Sequence, residues 1–278
     1  MAEQAAGEKA PSEHLSDEEV ESVAEKTAES SRVVHEAIRL QGQDELSRPI
    51  LSLLLSSFAA GVAMSASVLA EAFLKLRLPA APASELISAF GYSVGFVIVI
   101  LGNLQLFTEN TVTAVLPVAT HPTLRNLRRL LRLWALVFLG NLLGTLFAAI
   151  LIATGLIVSP EQLAPAVEVS ARLLQHDFAR TLLLGMPAGF LIGSIAWVLP
   201  SAKGGEFWIV TMITYVIAIG GFSHVVAGAA EAWLLWLTGH AGFGRALGGF
   251  ILPALIGNII GGTGLFALLA HGQVRHEL

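Results

Sequence analysis

The sequence predicts an all-α membrane protein in which six transmembrane helices form two inverted three-helix repeats, with spans 2 and 5 broken. Three observations carry this. First, 54% of the 278 residues are hydrophobic and 13% are charged, about half the charge of a soluble domain, and the mean hydropathy is +0.71. Second, six runs contain no Asp, Glu, Lys or Arg: 49–70, 86–108, 133–160, 181–202, 207–230 and 246–274. Each exceeds the roughly 18 residues that mark a membrane span. Third, short fragments recur in the same order in the two halves of the chain. A water-soluble bundle would need a polar face on most of these helices, and a β-barrel would show strict alternation. A net charge of −5 with no basic region excludes a nucleic-acid partner. The absence of cysteine excludes disulfides, thiolate metal sites and cysteine nucleophiles.

The chain opens with an acidic segment, residues 1–45, expected on the cytoplasmic side. Residues 1–49 hold 12 Asp/Glu against 5 Lys/Arg. They contain no basic stretch followed by an apolar one, as a secretory signal would. Residues 1–14 read as disordered. Ser16 and Glu19 make a capping box for a helix, on which Val20, Val23, Thr27, Val34 and Ile38 fall loosely on one face. A solvated tail with an interfacial helix is the favoured reading of residues 1–30. Residues 46–272 are the six-span channel domain, and 273–278 a cytoplasmic tail.

Spans 2 and 5 run past their uncharged stretches, to about 118 and 238, because apolar character resumes after Glu109 and Glu231. A straight helix of that length would measure about 48 Å against a hydrocarbon core of about 30 Å. Helix-breaking residues stand in both. Span 2 has Gly102-Asn103 followed by Thr108-Glu109-Asn110-Thr111, and span 5 has Gly220-Gly221 followed by Ser223-His224. Four arginines between spans 2 and 3 (Arg125, Arg128, Arg129, Arg132) place that loop, and with it both termini, in the cytoplasm. They are also placed to meet anionic lipid heads.

Gly140-Asn141-Leu-Leu-Gly144 recurs 117 residues on as Gly257-Asn258-Ile-Ile-Gly261. Phe107-Thr108-Glu109 aligns with Phe222-Ser223-His224 at an offset of 115, and Ala59-Ala60-Gly61 with Pro187-Ala188-Gly189 at 128. Three spans per half is an odd number, so the halves enter the membrane from opposite sides. In such folds broken helices meet near the midplane and their ends line a solute path. Unwound backbone is tolerated there only where protein or a cavity covers it.

The chain resembles the formate/nitrite transporter family over nearly all of residues 50–270. The resemblance rests on Leu106-Phe107-Thr108 with Asn110-Thr111, Phe138-Leu-Gly140-Asn141-Leu-Leu-Gly144, Gly221-Phe222-Ser223-His224, and Ile256-Gly257-Asn258-Ile-Ile-Gly261-Gly262. It implies an aquaporin-like fold, a homopentamer with one pore per protomer, and passage of small monovalent anions, often with a proton. It also implies that Thr108 is the loop threonine of the broken second helix and His224 the central pore histidine. Asn258 is then a pore-side asparagine, Phe107 the aromatic beside the loop, and Phe96 an apolar constriction residue. The N-terminal helix can lie over the pore mouth. Three positions depart from the family pattern: Glu109 where a small or polar residue is usual, Gly189-Phe190 in span 4, and Ser223 before the histidine.

The residues themselves leave several roles open. An imidazole at a helix break titrates near neutrality, so His224 is placed to hand a proton to a weak-acid anion. Its alternative is an interhelical hydrogen bond. Thr108 serves the solute, His224 or a helix cap, and Asn110 is an equal candidate for that cap. Glu109 is a pore group, a proton partner of His224, or a carboxylate on unwound amides, the last slightly favoured. Asn141 and Asn258 either bond across helices or face the pore. The glycine pairs let helices approach closely. Glu71 and Glu231 read as span-end residues reaching the interface. No enzyme motif is present, and neither a cofactor nor a metal is expected. The function expected is a bacterial inner-membrane channel or transporter for a small monovalent anion or its conjugate acid, proton-assisted through His224. The alternatives are a pore for a neutral or cationic solute set by Glu109, and a non-transporting scaffold acting through the acidic head.

Overall fold

The computed structural model describes residues 30–275. The capping box at Ser16 and the apolar positions Val20, Val23 and Thr27 lie outside the described residues. Helix α1 (Ser31–Ser47) comes first. It buries Val34, Ile38 and Leu46 against the spans, together with His35 and Glu45. Gly42 sits so close to the chain beneath it that a Cβ there would overlap the Thr113 carbonyl. The Arg132 guanidinium donates to the carbonyls of Leu46 and Arg48 at 3.0 and 3.1 Å, which satisfies groups left open where α1 ends. At least one of the four loop arginines thus fastens the head.

Burial pushes the Glu45 carboxyl above the usual carboxylate range, partly offset by hydrogen bonds from Thr113 and Gln41. A carboxyl raised in the folded state contributes its full stability at low pH and loses it as pH rises through the raised value. The attachment of α1 is therefore expected to loosen towards alkaline pH. A spin label at Asp44→Cys, the sole thiol in the chain, should gain mobility as pH rises, and Glu45→Gln should flatten that response.

Five helices are long and apolar enough to cross a membrane: α2 (Ile50–Arg77), α3 (Pro82–Leu101), α6 (Leu124–Ala153), α8 (Phe178–Ser201) and α11 (Phe243–Val274). The remaining elements are short pieces. They are α4 (Phe107–Asn110), α5 (Leu116–Thr120), α7 (Pro160–Ser170), α9 (Glu206–Ile219) and α10 (Val225–Leu237). Helices α3, α4 and α5 together make span 2, and α9 with α10 makes span 5, so both broken spans appear as such. The described residues form no strand. Outward positions along the spans are apolar and exposed, Leu55 at 62% and Leu183 at 56%. A soluble surface does not carry such a continuous apolar face.

The two halves repeat one packing scheme. In the first, α2 packs on α6, and a Cβ on Gly144 would overlap the Phe58 carbonyl. In the second, α8 packs on α11, and a Cβ on Gly261 would overlap the Met186 carbonyl. Phe58 and Met186 are 128 residues apart, and Gly144 and Gly261 are 117 apart. The glycine spacing therefore sets helix approach in both halves.

Candidate functional site

The two broken spans come apart by one mechanism. Helix α3 ends at Gly102, and Asn103 takes a left-handed φ of 51°. Helix α9 ends at Gly220, and Gly221 takes φ 62°. The Leu104 N–H donates to Val99 O at 2.9 Å and the Phe222 N–H to Ile217 O at 3.0 Å. Both ends are thus Schellman motifs, which need a residue able to adopt the left-handed region. Two extended residues follow as caps, Leu106 (ψ 124°) and His224 (ψ 123°), before the next half-helix starts.

An asparagine clamps each break from the neighbouring span. The Asn141 Oδ1 accepts the Phe107 N–H at 2.9 Å, and its Nδ2 donates to Ser57 O and Gln105 O at 2.8 and 2.9 Å. The Asn258 Oδ1 accepts the Val225 N–H, and its Nδ2 donates to Gly185 O and Ser223 O, all at 2.8 Å. The halves therefore correspond at an offset of 118 in the broken spans: Gln105 with Ser223, Leu106 with His224, Phe107 with Val225. The 115-residue alignment of Phe107-Thr108-Glu109 with Phe222-Ser223-His224 is corrected by three positions. The shared phenylalanine is a coincidence, because the backbone amide that meets the clamp defines the register. Both asparagines are fully buried and hold the unwound backbone from behind.

His224 caps α10: the Ala227 N–H donates to its Nδ1 at 3.2 Å. Its Nε2 lies 2.8 Å from the Thr108 Oγ1. An Nδ1 that accepts an amide has no proton, so the neutral ring carries its proton on Nε2 and donates it to the threonine. That leaves the Thr108 hydroxyl hydrogen available to a further acceptor. The backbone beneath Thr108 is fixed in turn, since Thr111 Oγ1 donates to Thr108 O at 2.6 Å. Phe96 stands edge-on to the imidazole, ring centroids 4.8 Å apart, and is fully buried. His224, Thr108 and Phe96 thus come together.

The other predicted residues lie elsewhere. Phe107 packs into the core against Trp134 and Phe138. Asn110 donates to Gln105 Oε1 at 3.0 Å and caps no helix. Thr108 caps none either, its hydroxyl being engaged with His224. No backbone amide donates to the Glu109 carboxyl among the described residues. Instead Glu109 lines an open cavity on the α1 side, with Gln41, Asn103 and Glu206. The structural reading of Glu109 is corrected accordingly: the amides of this break are taken by Asn141 and by helical carbonyls.

A second cavity, of about 170 Å³, leads to His224 from the opposite side. Its walls include Glu71, Tyr92, Arg172, Thr181 and Glu231. Glu71 is 2% exposed and Glu231 9%, so neither reaches a lipid interface as a span-end residue would. Burial among packed helices holds them inside. Arg172 and Thr181 gave no signal in the sequence. The carboxyls did give one, as ionisable groups flanked by long apolar stretches. The two cavities share no lining residue, and one of them ends at the His224 ring.

Two clamped half-helix pairs, meeting at a buried histidine–threonine contact, define a pore-type membrane protein of the inverted-repeat class. Residues 32–272 match the family model described as formate/nitrite transporter, and the chain belongs to that family of transporters. It is 39% identical over 245 residues to the inner membrane protein YfdC of Escherichia coli (strain K12), covering 88% of this chain and 79% of that one. It is 27% identical over 247 residues to the formate channel BtFdhC of Bacillus thuringiensis, covering 85% and 93%. Its fold matches a solved structure described as a pentameric formate channel with formate bound. There the TM-score is 0.67 at 20% identity, covering 82% of this chain and 98% of that chain.

Proposed function

We propose that this protein conducts a small monovalent anion, of the formate or nitrite kind, or its conjugate weak acid, and that a proton accompanies it through His224. The observation that carries the reading is the 2.8 Å contact between the His224 Nε2 and the Thr108 Oγ1, at the end of a cavity and beneath Phe96. The Thr108 hydroxyl, polarised by the ring, offers the solute a hydrogen bond where the path is otherwise apolar. A charged imidazole would have protons on both nitrogens, so protonating His224 breaks its contact with the Ala227 amide. The proton state of the ring is thereby tied to the start of α10. Relatives named as a formate channel and an inner membrane protein, and the pentameric fold relative, support a homopentamer in a bacterial inner membrane. The arginine-rich loop supports cytoplasmic termini.

Uptake into proteoliposomes tests this, with formate, nitrite, acetate and glycerol at pH 5 and pH 7. Anion uptake that rises at the lower pH is the expected result. Glycerol uptake alone would replace it with a neutral-solute pore. Silence towards all four would favour a scaffold.

A further inference from the structure

The cavity on the far side of His224 holds more chemistry than a passage needs. His224, Gly228 and Glu231 follow one another along one face of α10, so Glu231 stands about 10 Å from the histidine along the helix. Gly228 leaves the cavity wall between them without a side chain. Facing Glu231 are Glu71 from α2, Tyr92 from span 2 and Arg172 from the turn after α7. The Arg172 Nη1 lies 3.6 Å from the Glu71 Oε2. Lys75, one turn beyond Glu71, is engaged by Glu168 at 2.9 Å. His176 lines the mouth, where its carbonyl accepts from Arg245. Glu231 has no ion pair or hydrogen bond among the described residues.

Two carboxyls thus face one guanidinium in a buried site, a balance completed by one proton. The Arg172 contact assigns the charged form to Glu71, which leaves the proton to Glu231. A separate observation points to a ligand. Thr181 is 1% exposed, its Oγ1 has no partner, and it lines this same cavity. A buried hydroxyl without a partner is costly unless something visits it. Thr181 and Arg172 are hydrogen-bond donors to an oxyanion, and Glu231 is an acid beside them.

We infer that this vestibule is a docking and protonation site for the permeating anion, with Glu231 the proton donor, Arg172 and Thr181 the anion's partners, and Glu71 the counter-charge that holds Arg172. This rests on the weak-acid reading of the function. The step is a single proton transfer. The Glu231 O–H bond breaks, an O–H bond forms on the anion, and the electron pair stays on Glu231 as a carboxylate facing Arg172. Water at the open mouth then returns a proton to Glu231. From this side the solute meets His224 and Thr108 already neutral.

The test is formate uptake by proteoliposomes of wild type, Glu231→Gln and Glu231→Asp between pH 4.5 and pH 7.5. Glutamine keeps the shape of the neutral carboxyl and cannot donate its proton. It should cut uptake at least about tenfold at neutral pH and converge on wild type at the acid end, where bulk water supplies the neutral acid. Aspartate should restore much of the neutral-pH uptake. Equal loss at every pH, or an unchanged profile, would overturn the donor role. Infrared spectra give a readout independent of flux: at neutral pH a carboxylic-acid C=O band should be present in wild type and weaker in Glu231→Gln. An identical band in both would also overturn it. If wild type moves no anion at any pH, the reading of the function fails, while the infrared band still shows whether Glu231 holds a proton.

Discussion

Replacing His224 with asparagine is expected to leave the protein folded and to lower anion uptake by at least about tenfold. The expectation comes from the two jobs of one ring. The Nδ1 caps α10 by accepting the Ala227 amide, and asparagine is among the best residues for that job. The Nε2 meets Thr108, and the shorter asparagine does not reach it. His224→Asn thus separates holding the helix from serving the path. His224→Ala removes both and should additionally lower thermal stability by about 1 kcal/mol, the usual cost of a lost cap. Thr108→Val removes the hydroxyl at nearly constant volume and should reproduce the uptake loss, with Thr108→Ser recovering part of it. Uptake measured beside the melting temperature of the solubilised protein separates the two effects. An asparagine variant that transports like wild type would remove His224 from the path.

The largest effect on stability is expected at Asn141 and Asn258. Each satisfies one amide and two carbonyls of an unwound segment. Truncation to alanine strands three buried backbone groups. Polar contacts within membranes contribute about 0.6–1.7 kcal/mol each, and groups left unsatisfied cost about 1–3 kcal/mol. Asn258→Ala should therefore cost about 2–5 kcal/mol, and Asn141→Ala about the same, since the two sites are matched bond for bond. Thermal unfolding of the purified protein followed by size-exclusion chromatography reads this directly. A loss under about 0.5 kcal/mol would show that water or a local rearrangement satisfies the freed groups.

Much of this architecture was legible in the residues. Charge-free runs gave the spans, because nothing but an apolar exterior suits lipid. Gly102-Asn103 and Gly220-Gly221 gave the breaks, because a Schellman turn needs a left-handed residue. The Gly-Asn-x-x-Gly repeat gave the two halves. The pairing of the broken segments was misread because side-chain identity was matched where backbone amides decide: Phe107 corresponds to Val225, a residue it does not resemble. Glu71 and Glu231 were misplaced for a related reason. Position along a span says how deep a residue lies, but not which way it points, and both turn inward. Arg172 and Thr181 meet those carboxyls only through tertiary packing, which no local pattern records.

Each asparagine clamp touches backbone alone: carbonyls and amides at Ser57, Gln105 and Phe107, and at Gly185, Ser223 and Val225. No side chain of the unwound segment enters the bond. The shape of the opening is therefore written in one set of residues and its chemical preference in another. Substitutions at Leu106, Thr108 or Ser223 can retune what passes without asking the scaffold to refold. A single frame of this kind can be fitted to many small solutes, in the way one lens mount accepts many lenses.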